Sequence, residues 1–422
     1  MIKILEKLKK YNYWDDTSME MEGGFLREVY LQRIDKYLDN NLIKVVIGQR
    51  RTGKSYLLRQ IIKKLIEKGV NRKNIFYLNK EIVDFDEIQD YRDLKKLIDV
   101  YKKQLKVKGK IYYFLDEIQE IEQWEKIVNS LSQDYKNKAE VFISGSNSHL
   151  LSGELSTFLS GRYVEFEILP FSFVEYCQFF KKAKDKKSFF EYLSSGGLPE
   201  LFNLSSEESK RHYVESLKDT IILKDIVGRR GIKDVVLLDK IFDFLSDNIG
   251  NLFSVNSIVK YLNSHNQKTN FETVSNYVKY LEDVFLIHKV ERYDVKGKLI
   301  LGGEKKYYLN DLSFHNYLFS SFDYGLGKNL ENIVYLYYRS QGWNVYVGKI
   351  GKNEIDFVIE KQNKKKYIQV THSLITKKVI NREFGNLEKI NDSYEKLVIS
   401  MDDKSLGNKE GIEHKLAWEI MV

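Results

Sequence analysis

The chain has 422 residues, 43% of them hydrophobic, and a net charge of +8; its length suits two or three domains of roughly 100–200 residues, each able to bury a core. A single cysteine, Cys177, excludes a disulfide framework and a cysteine-rich zinc site. No run approaches the ~18 apolar residues of a membrane helix, and the charged, amphipathic start at Met1–Lys10 is unlike a signal peptide, so a cytoplasmic protein with no membrane partner is expected.

Met1 to Met21 reads as a charged lead-in carrying Tyr11, Tyr13 and Trp14. From Phe25 to Asp39, Phe25, Val29, Leu31, Ile34 and Leu38 recur at helical spacing. A strand, a loop and a helix follow. Leu42–Ile47 is apolar and largely β-branched apart from Lys44, and Tyr56–Lys68 carries apolar residues at Leu57, Leu58, Ile61, Ile62, Leu65 and Ile66 before Gly69 stops it. Between them Gly48-Gln49-Arg50-Arg51-Thr52-Gly53-Lys54-Ser55 fits the phosphate-cradling pattern G-x-x-x-x-G-K-[ST]. Gly48 and Gly53 let backbone N–H groups turn toward phosphates, and the helix start adds about half a positive charge. Gly48 to Tyr56 is therefore the expected nucleotide-binding set, with Lys54 reaching the β- and γ-phosphates and the Ser55 hydroxyl holding Mg²⁺. Arg27 and Tyr30, just upstream, are candidates for the adenine side, with a plain solvated helix face as the alternative.

Asn74–Leu78 predicts a second strand, and Tyr91–Leu105, capped by Asp90, a helix. Lys110–Leu115 predicts a third strand ending in Asp116-Glu117, the Walker B pattern. Asp116 can bind Mg²⁺ directly or through water, and Glu117 can polarise the water that attacks the γ-phosphate. Ile118–Leu131 has helical spacing. Ala139–Ser144 predicts a fourth strand running into Gly145-Ser146-Asn147. A polar residue there can orient the attacking water; Asn147 is the choice, with Ser144 and Ser146 as rivals and a simple turn residue as the alternative. Leu159-Ser160-Gly161-Arg162 leads into a fifth strand at Tyr163–Leu169, closed by Pro170. Strands alternating with helices predict an α/β fold with a doubly wound parallel sheet and ligand at the strand C-termini.

Gly48–Ser55, Leu115-Asp116-Glu117-Ile118-Gln119, Ser144–Asn147, and Ser160-Gly161-Arg162 followed by Leu169-Pro170-Phe171-Ser172-Phe173-Val174-Glu175-Tyr176 resemble, in this order, the archaeal and bacterial AAA-type ATPases of the additional-strand, catalytic-glutamate class. The resemblance covers essentially the whole chain. It implies a P-loop NTPase domain that binds ATP or ADP and hydrolyses ATP with Mg²⁺ through Lys54, Ser55, Asp116 and Glu117. It also implies a sensor role for Asn147 and a place near the γ-phosphate for Arg162, in its own subunit or a neighbour's. An arginine so placed contributes about 10³–10⁵ in rate; one on an open surface contributes nothing. The aromatic helices Phe171–Phe180 and Ser188–Leu201, around Gly196-Gly197-Leu198-Pro199, are implied to form a helical lid that completes an ATPase domain over 1–200.

Tyr213–Val227, Val235–Asn248 and Val255–Leu262, the last capped by Ser254, read as helices. Thr269-x-x-Glu272 reads as a capping box for another at Phe271–Phe285. A β-pair follows at Ile287–Tyr293 and Glu304–Leu309. Three helices and a hairpin predict a winged helix-turn-helix over 201–312. DNA binding would put its third helix in the major groove. Yet Phe271–Phe285 sets Lys279 against Glu272, Glu282 and Asp283, a net −2, where phosphates call for cations. The hairpin, with six Lys or Arg against three acids over Lys289–Lys306, is the better candidate for DNA or RNA contact, with a scaffold role as the alternative.

Over 313–422, a helix at Leu330–Gln341, strands at Trp343–Lys349, Glu354–Glu360 and Lys366–Val370, and a helix near Lys377–Asn391 are predicted. Glu331, Asp356 and Gln369-Val370-Thr371 resemble the restriction-endonuclease-like fold with its Asp…(Glu/Gln)-x-Lys signature. A working site needs two or three acidic ligands for Mg²⁺ and a lysine. Gln369 replaces a carboxylate and Thr371 stands in the lysine's place, so a degenerate nuclease fold is expected, with Lys349 or Lys352 as lysines able to supply the missing charge. The combined expectation is an ATPase whose nucleotide state is coupled to a C-terminal nucleic-acid-associated module, as a monomer or homo-oligomer. The alternatives are an ATP-gated DNA-binding scaffold and an Mg²⁺-dependent nuclease.

Overall fold

A computed structural model describes residues 1–14, 21–134, 139–147, 159, 161–319 and 325–421; Ser160 of the Ser160-Gly161-Arg162 motif lies outside them. The chain divides into two compact units, Met1–Ile168 and Leu169–Val422. Among the described residues no helix is long and apolar enough to cross a membrane.

The first unit is built on five parallel strands: β1 (Ile43–Ile47), β2 (Ile75–Asn79), β3 (Ile111–Asp116), β4 (Ala139–Gly145) and β5 (Tyr163–Glu167), in the order β2-β3-β4-β1-β5. The nearly continuous apolar runs of β1 to β4 follow from helices covering both faces of a parallel sheet. β4 lies between the loop-bearing β1 and β3 and pairs with both. Because the strands are parallel, their C-terminal ends open on one side, where a doubly wound sheet takes its ligand. The helix Lys54–Glu67 packs Leu57, Leu58, Ile61 and Ile62 against Val46, Tyr77 and Phe142, and Phe114 stacks on Phe142 with ring centroids 4.5 Å apart. Tyr91–Leu105 is helical as expected, with the Asp90 carboxylate accepting from the N–H groups of Arg92 and Asp93.

Lys44, the one charge in β1, pairs with Glu140 on the adjacent β4: Nζ lies 2.6 Å from Oε1, and both side chains are 0% exposed. The Lys110 ammonium joins the same carboxylate. The lead-in differs from expectation. Ile2–Asn12 is a helix that buries Ile4, Leu5 and Leu8. Asn12 exchanges two hydrogen bonds with the backbone of Tyr77, and Trp14 Nε1 donates to Ile75 O at 2.7 Å, so this segment covers the open edge of β2. The helix expected over 118–131 is split into a short 3₁₀ turn, Ile118–Glu120, and Trp124–Ser132, because Gln123 takes a left-handed backbone before Trp124.

The second unit begins with a helical region. Phe173–Phe180 and Lys186–Ser195, the helices expected to form a lid, share a core with Val235–Asp247, Val255–Ser264 and Phe271–Asp283. The N-cap of Phe271–Asp283 is Asn270, whose side chain accepts from Thr273 N at 2.9 Å, so the expected Thr269–Glu272 capping box does not form. The Gly196-Gly197 turn is pinned by Asp311, which accepts from Gly197 N at 2.7 Å and Ser313 N at 2.9 Å. A Cβ on Gly197 would come 2.2 Å from Phe171 O, so only glycine fits there.

A sheet-rich region follows: β6 (Ile287–Asp294), β7 (Leu299–Leu309), β8 (Asn344–Ile350), β9 (Asn353–Lys361), β10 (Lys364–Val370), β11 (Glu395–Ser400), β12 (Asn408–Lys409) and β13 (Ile412–Leu416). They form one sheet in the order β12-β13-β11-β10-β9-β8-β6-β7. The β6–β7 hairpin is therefore not a free-standing wing, since β6 pairs in parallel with β8. The helices Leu326–Ser340 and Lys377–Glu388 complete this region.

Candidate functional site

The loop after β1 is shaped by two glycines. Gly48 has φ 145° and Gly53 φ 95°, and a Cβ on Gly48 would meet Ile168 O at 2.3 Å. Lys54 folds back over the loop and donates to the carbonyls of Gly48 and Gln49, both at 3.0 Å. Thr52 Oγ1 donates to Gln49 O at 2.9 Å, and Arg50 pairs with Glu81. Arg51 and Tyr56 are exposed. Arg27 and Tyr30 do not lie open to a base. Arg27 is 2% exposed, sends Nη1 to Thr52 O at 3.0 Å and lies 4.7 Å over the Tyr30 ring. Its backbone N–H is held by Gln60 from the following helix. Arg27 braces the loop, with Tyr30 packed against its guanidinium.

The end of β3 faces this loop. Asp116 is buried, accepts from Tyr77 Oη at 3.0 Å and from the Ser144 hydroxyl, and is also hydrogen-bonded by Ser55. Burial and then the neighbouring Glu117 charge push its carboxyl above the usual range, while the three hydroxyls oppose them. Glu117 has a left-handed backbone, φ 52°. Its N–H donates to Ser144 Oγ at 3.1 Å, and its Oε1 lies 3.9 Å from Lys54 Nζ. Gln119 donates to its second oxygen. Ser144, on β4, thus ties Asp116 to Glu117. Asn147 and Ser146 are buried just past β4, and Ser146 Oγ has no hydrogen-bond partner among the described residues.

Lys54, Ser55, Asp116 and Glu117 are therefore brought into one cluster. Tyr77 belongs to it too, and no sequence signal marks a tyrosine in a buried apolar strand. The set fits a magnesium nucleotide: a loop too close-packed for a side chain at Gly48, an ammonium, and a hydroxyl–carboxylate pair of the oxygen type that Mg²⁺ prefers. Arg162 is not brought to the cluster within one chain. It precedes β5, and its carbonyl accepts from Ile43 N at the start of β1. The loop leaves the far end of β1, five residues or roughly 16 Å away.

The nuclease-like residues also assemble. Asp356 on β9 donates its N–H to Gln369 Oε1 on β10 at 2.8 Å and accepts from Val370 N at 2.8 Å. Gln369 Nε2 donates to Glu383 at 2.7 Å. Thr371 is buried, with its hydroxyl directed to Ser373 O. The lysine that joins them is neither Lys349 nor Lys352 but Lys306 of β7, which the sequence groups with the hairpin's surface cations. Most other hairpin cations are paired: Lys289 with Glu282 and Glu291, Arg292 with Glu304, and Lys305 with Glu291. Lys296 and Lys298 stand exposed at the turn.

The profile of a family described as an AAA domain matches residues 40–177, and that of a domain of unknown function matches 186–325. The chain is 36% identical over 393 residues to an uncharacterised protein of Haemophilus influenzae, covering 92% of this chain and 96% of that one. It is 32% identical over 435 residues to an uncharacterised protein of Methanocaldococcus jannaschii, covering 98% and 93%. Among solved structures it is similar to the Aeropyrum pernix ORC1 protein in complex with DNA, with a TM-score of 0.31 and 13% identity over 73% of this chain and 95% of that one.

Proposed function

The chain belongs to the AAA-type P-loop ATPase family, and from that premise we propose that it binds ATP with Mg²⁺ at the loop after β1 and hydrolyses it with Glu117 as the general base. The observation that carries this reading is the placement of Glu117, 3.9 Å from the Lys54 ammonium and tied through Ser144 to Asp116. The residues divide the work. Lys54 exchanges the carbonyls of Gly48 and Gln49 for phosphate oxygens. Ser55 and Asp116 would hold Mg²⁺, which would supply Lewis-acid neutralisation of phosphate charge. Glu117 orients a water and takes its proton, a role that contributes about 10²–10⁴ in rate. Asn147 and Ser146, buried past β4, are the polar groups offered to that water. Lys54→Ala tests the binding half: nucleotide affinity should fall and turnover vanish. A variant that binds and turns over ATP like the wild type sinks the reading.

The nucleotide state is proposed to act on the second unit, and nucleic acid is its proposed partner. Lys296 and Lys298 at the β6–β7 turn support that partner class. The test is ATP turnover with and without DNA or RNA at ~50 and ~200 mM salt, because contact made through phosphates weakens steeply with salt. Stimulation that is absent at both concentrations removes nucleic acid from the account.

A further inference from the structure

In the second unit β7, β9 and the helix Leu326–Ser340 each send charge to one point. Lys306 Nζ lies 2.8 Å from Glu331 Oε1, 2.6 Å from Glu354 Oε1 and 3.8 Å from Asp356 Oδ1, and the lysine side chain is 3% exposed. An ammonium has three donors, and three carboxylates surround this one. Tyr308, two residues along the same face of β7, donates to the Glu331 oxygen that Lys306 also uses. Burial pushes the Lys306 ammonium toward neutrality, but Glu331, Asp356 and Glu354 outweigh it and hold the charge firmly in place.

The resemblance to restriction endonucleases implies a divalent metal here, and the residues do not fit one. Gln369 spends its carbonyl on the Asp356 backbone N–H and its amide on the Glu383 carboxylate, so both of its polar ends are already engaged. The second Asp356 oxygen is taken by Val370 N. Among the described residues no group of three His, Cys, Asp or Glu side chains converges in a metal-holding arrangement. The place between Glu331 and Asp356 already holds the Lys306 ammonium, which a metal would have to displace from both carboxylates.

We propose that the Lys306 ammonium takes the place of the divalent metal, making this site a metal-independent lock that fastens the β6–β7 hairpin to the nuclease-like sheet and leaves that sheet without cleavage chemistry. The hairpin strand brings its own cation, so the hairpin and the sheet stay joined in the presence of chelators.

Manganese binding to the nucleotide-free full-length protein, followed by electron paramagnetic resonance, tests the proposal. Ser55→Ala is included throughout to silence the loop after β1. The wild-type lock should show no Mn²⁺ site that Asp356→Asn removes. Lys306→Met, which keeps the unbranched stem one atom shorter and deletes the charge, should gain Mn²⁺ affinity by at least ~10-fold, and adding Asp356→Asn should abolish the gain. Lys306→Gln serves if the methionine variant does not fold, and the wild-type comparison with Asp356→Asn needs neither. Mn²⁺ binding or DNA cleavage by the wild type that Asp356→Asn abolishes overturns the proposal. Failure of both Lys306 variants to gain a site overturns it as well, because the lysine then stands where no metal could.

Discussion

Glu140→Gln removes the carboxylate that sits between Lys44 and Lys110 beneath the candidate active site. At 2.6 Å the Lys44–Glu140 attraction is about 6 kcal/mol at an effective dielectric of ~20. With Glu140 neutral, Lys44 keeps the Asn40 carbonyl oxygen at 3.0 Å but no full counter-charge in direct contact. Burial already drives its ammonium toward the neutral form, and Glu140 is the group that opposes this most strongly. Deprotonating a lysine at pH 7 costs ~5 kcal/mol, at about 1.4 kcal/mol for each of ~3.5 pH units. Deprotonation therefore caps the loss at ~5 kcal/mol, and with the Asn40 contact kept about 4 kcal/mol is expected, within the range for a broken buried pair. Lys44→Met should cost less, ~2 kcal/mol, because Glu140 keeps Lys110 and the Asp39 N–H. Lys44→Met/Glu140→Leu should return to within ~1 kcal/mol of the wild type, since well-packed apolar residues replace such a pair at little cost. Hydrogen exchange of the β1 and β4 amides reads the opening free energy of this sheet alone. A Glu140→Gln variant as stable as Lys44→Met, or a double variant that loses as much as Glu140→Gln alone, refutes the reasoning.

Ser144→Ala deletes the hydroxyl shared by Asp116 and the Glu117 N–H; hydrogen bonds to a charged group are worth ~1.5–3 kcal/mol, so steady-state ATP turnover should fall about 10- to 100-fold with nucleotide affinity largely kept. Unchanged turnover would remove Ser144 from the site. Asp311 predicts a pH dependence. Burial pushes its carboxyl up to about 6, so its contribution to stability is full below pH ~4 and is lost, by ~3 kcal/mol, as pH rises through the folded value. Asp311→Asn cannot titrate, so the stability difference between variant and wild type should move in the variant's favour by that amount between pH 4 and 7 in denaturation experiments. A pH-independent difference would contradict this assignment.

The first unit was readable because its signals are local. Gly48–Ser55 lies within one loop, and the apolar runs of β1 to β4 declare buried parallel strands directly. What escaped depends on residues far apart in the chain. Lys44 breaks an apolar run for a reason that sits on Glu140, and Tyr77 reaches Asp116 only because β2 and β3 are neighbours. Arg27 and Tyr30 precede the loop in the way base-contacting residues do, yet Arg27 turns inward to Thr52 and Tyr30 is buried beneath its guanidinium. Arg162 matches a motif whose place depends on which end of β5 carries it. The second unit was harder to read. Ile287–Tyr293 and Glu304–Leu309 form the expected hairpin, but nothing local announces that β6 pairs with β8 more than fifty residues later. Ile412–Leu416 alternates buried and half-buried residues, but a pattern of only five residues is weak. Lys306 sits among surface cations in sequence, and only the pleat of β7 turns it inward.

The central claim is that Glu117 is the base for water attack on ATP held by Lys54, Ser55 and Asp116. Single-turnover hydrolysis of radiolabelled ATP by Glu117→Gln, with ATP binding measured on the same sample, tests it most directly. The account predicts binding close to the wild type and a hydrolysis rate lower by about 10²–10⁴; hydrolysis at the wild-type rate would contradict it.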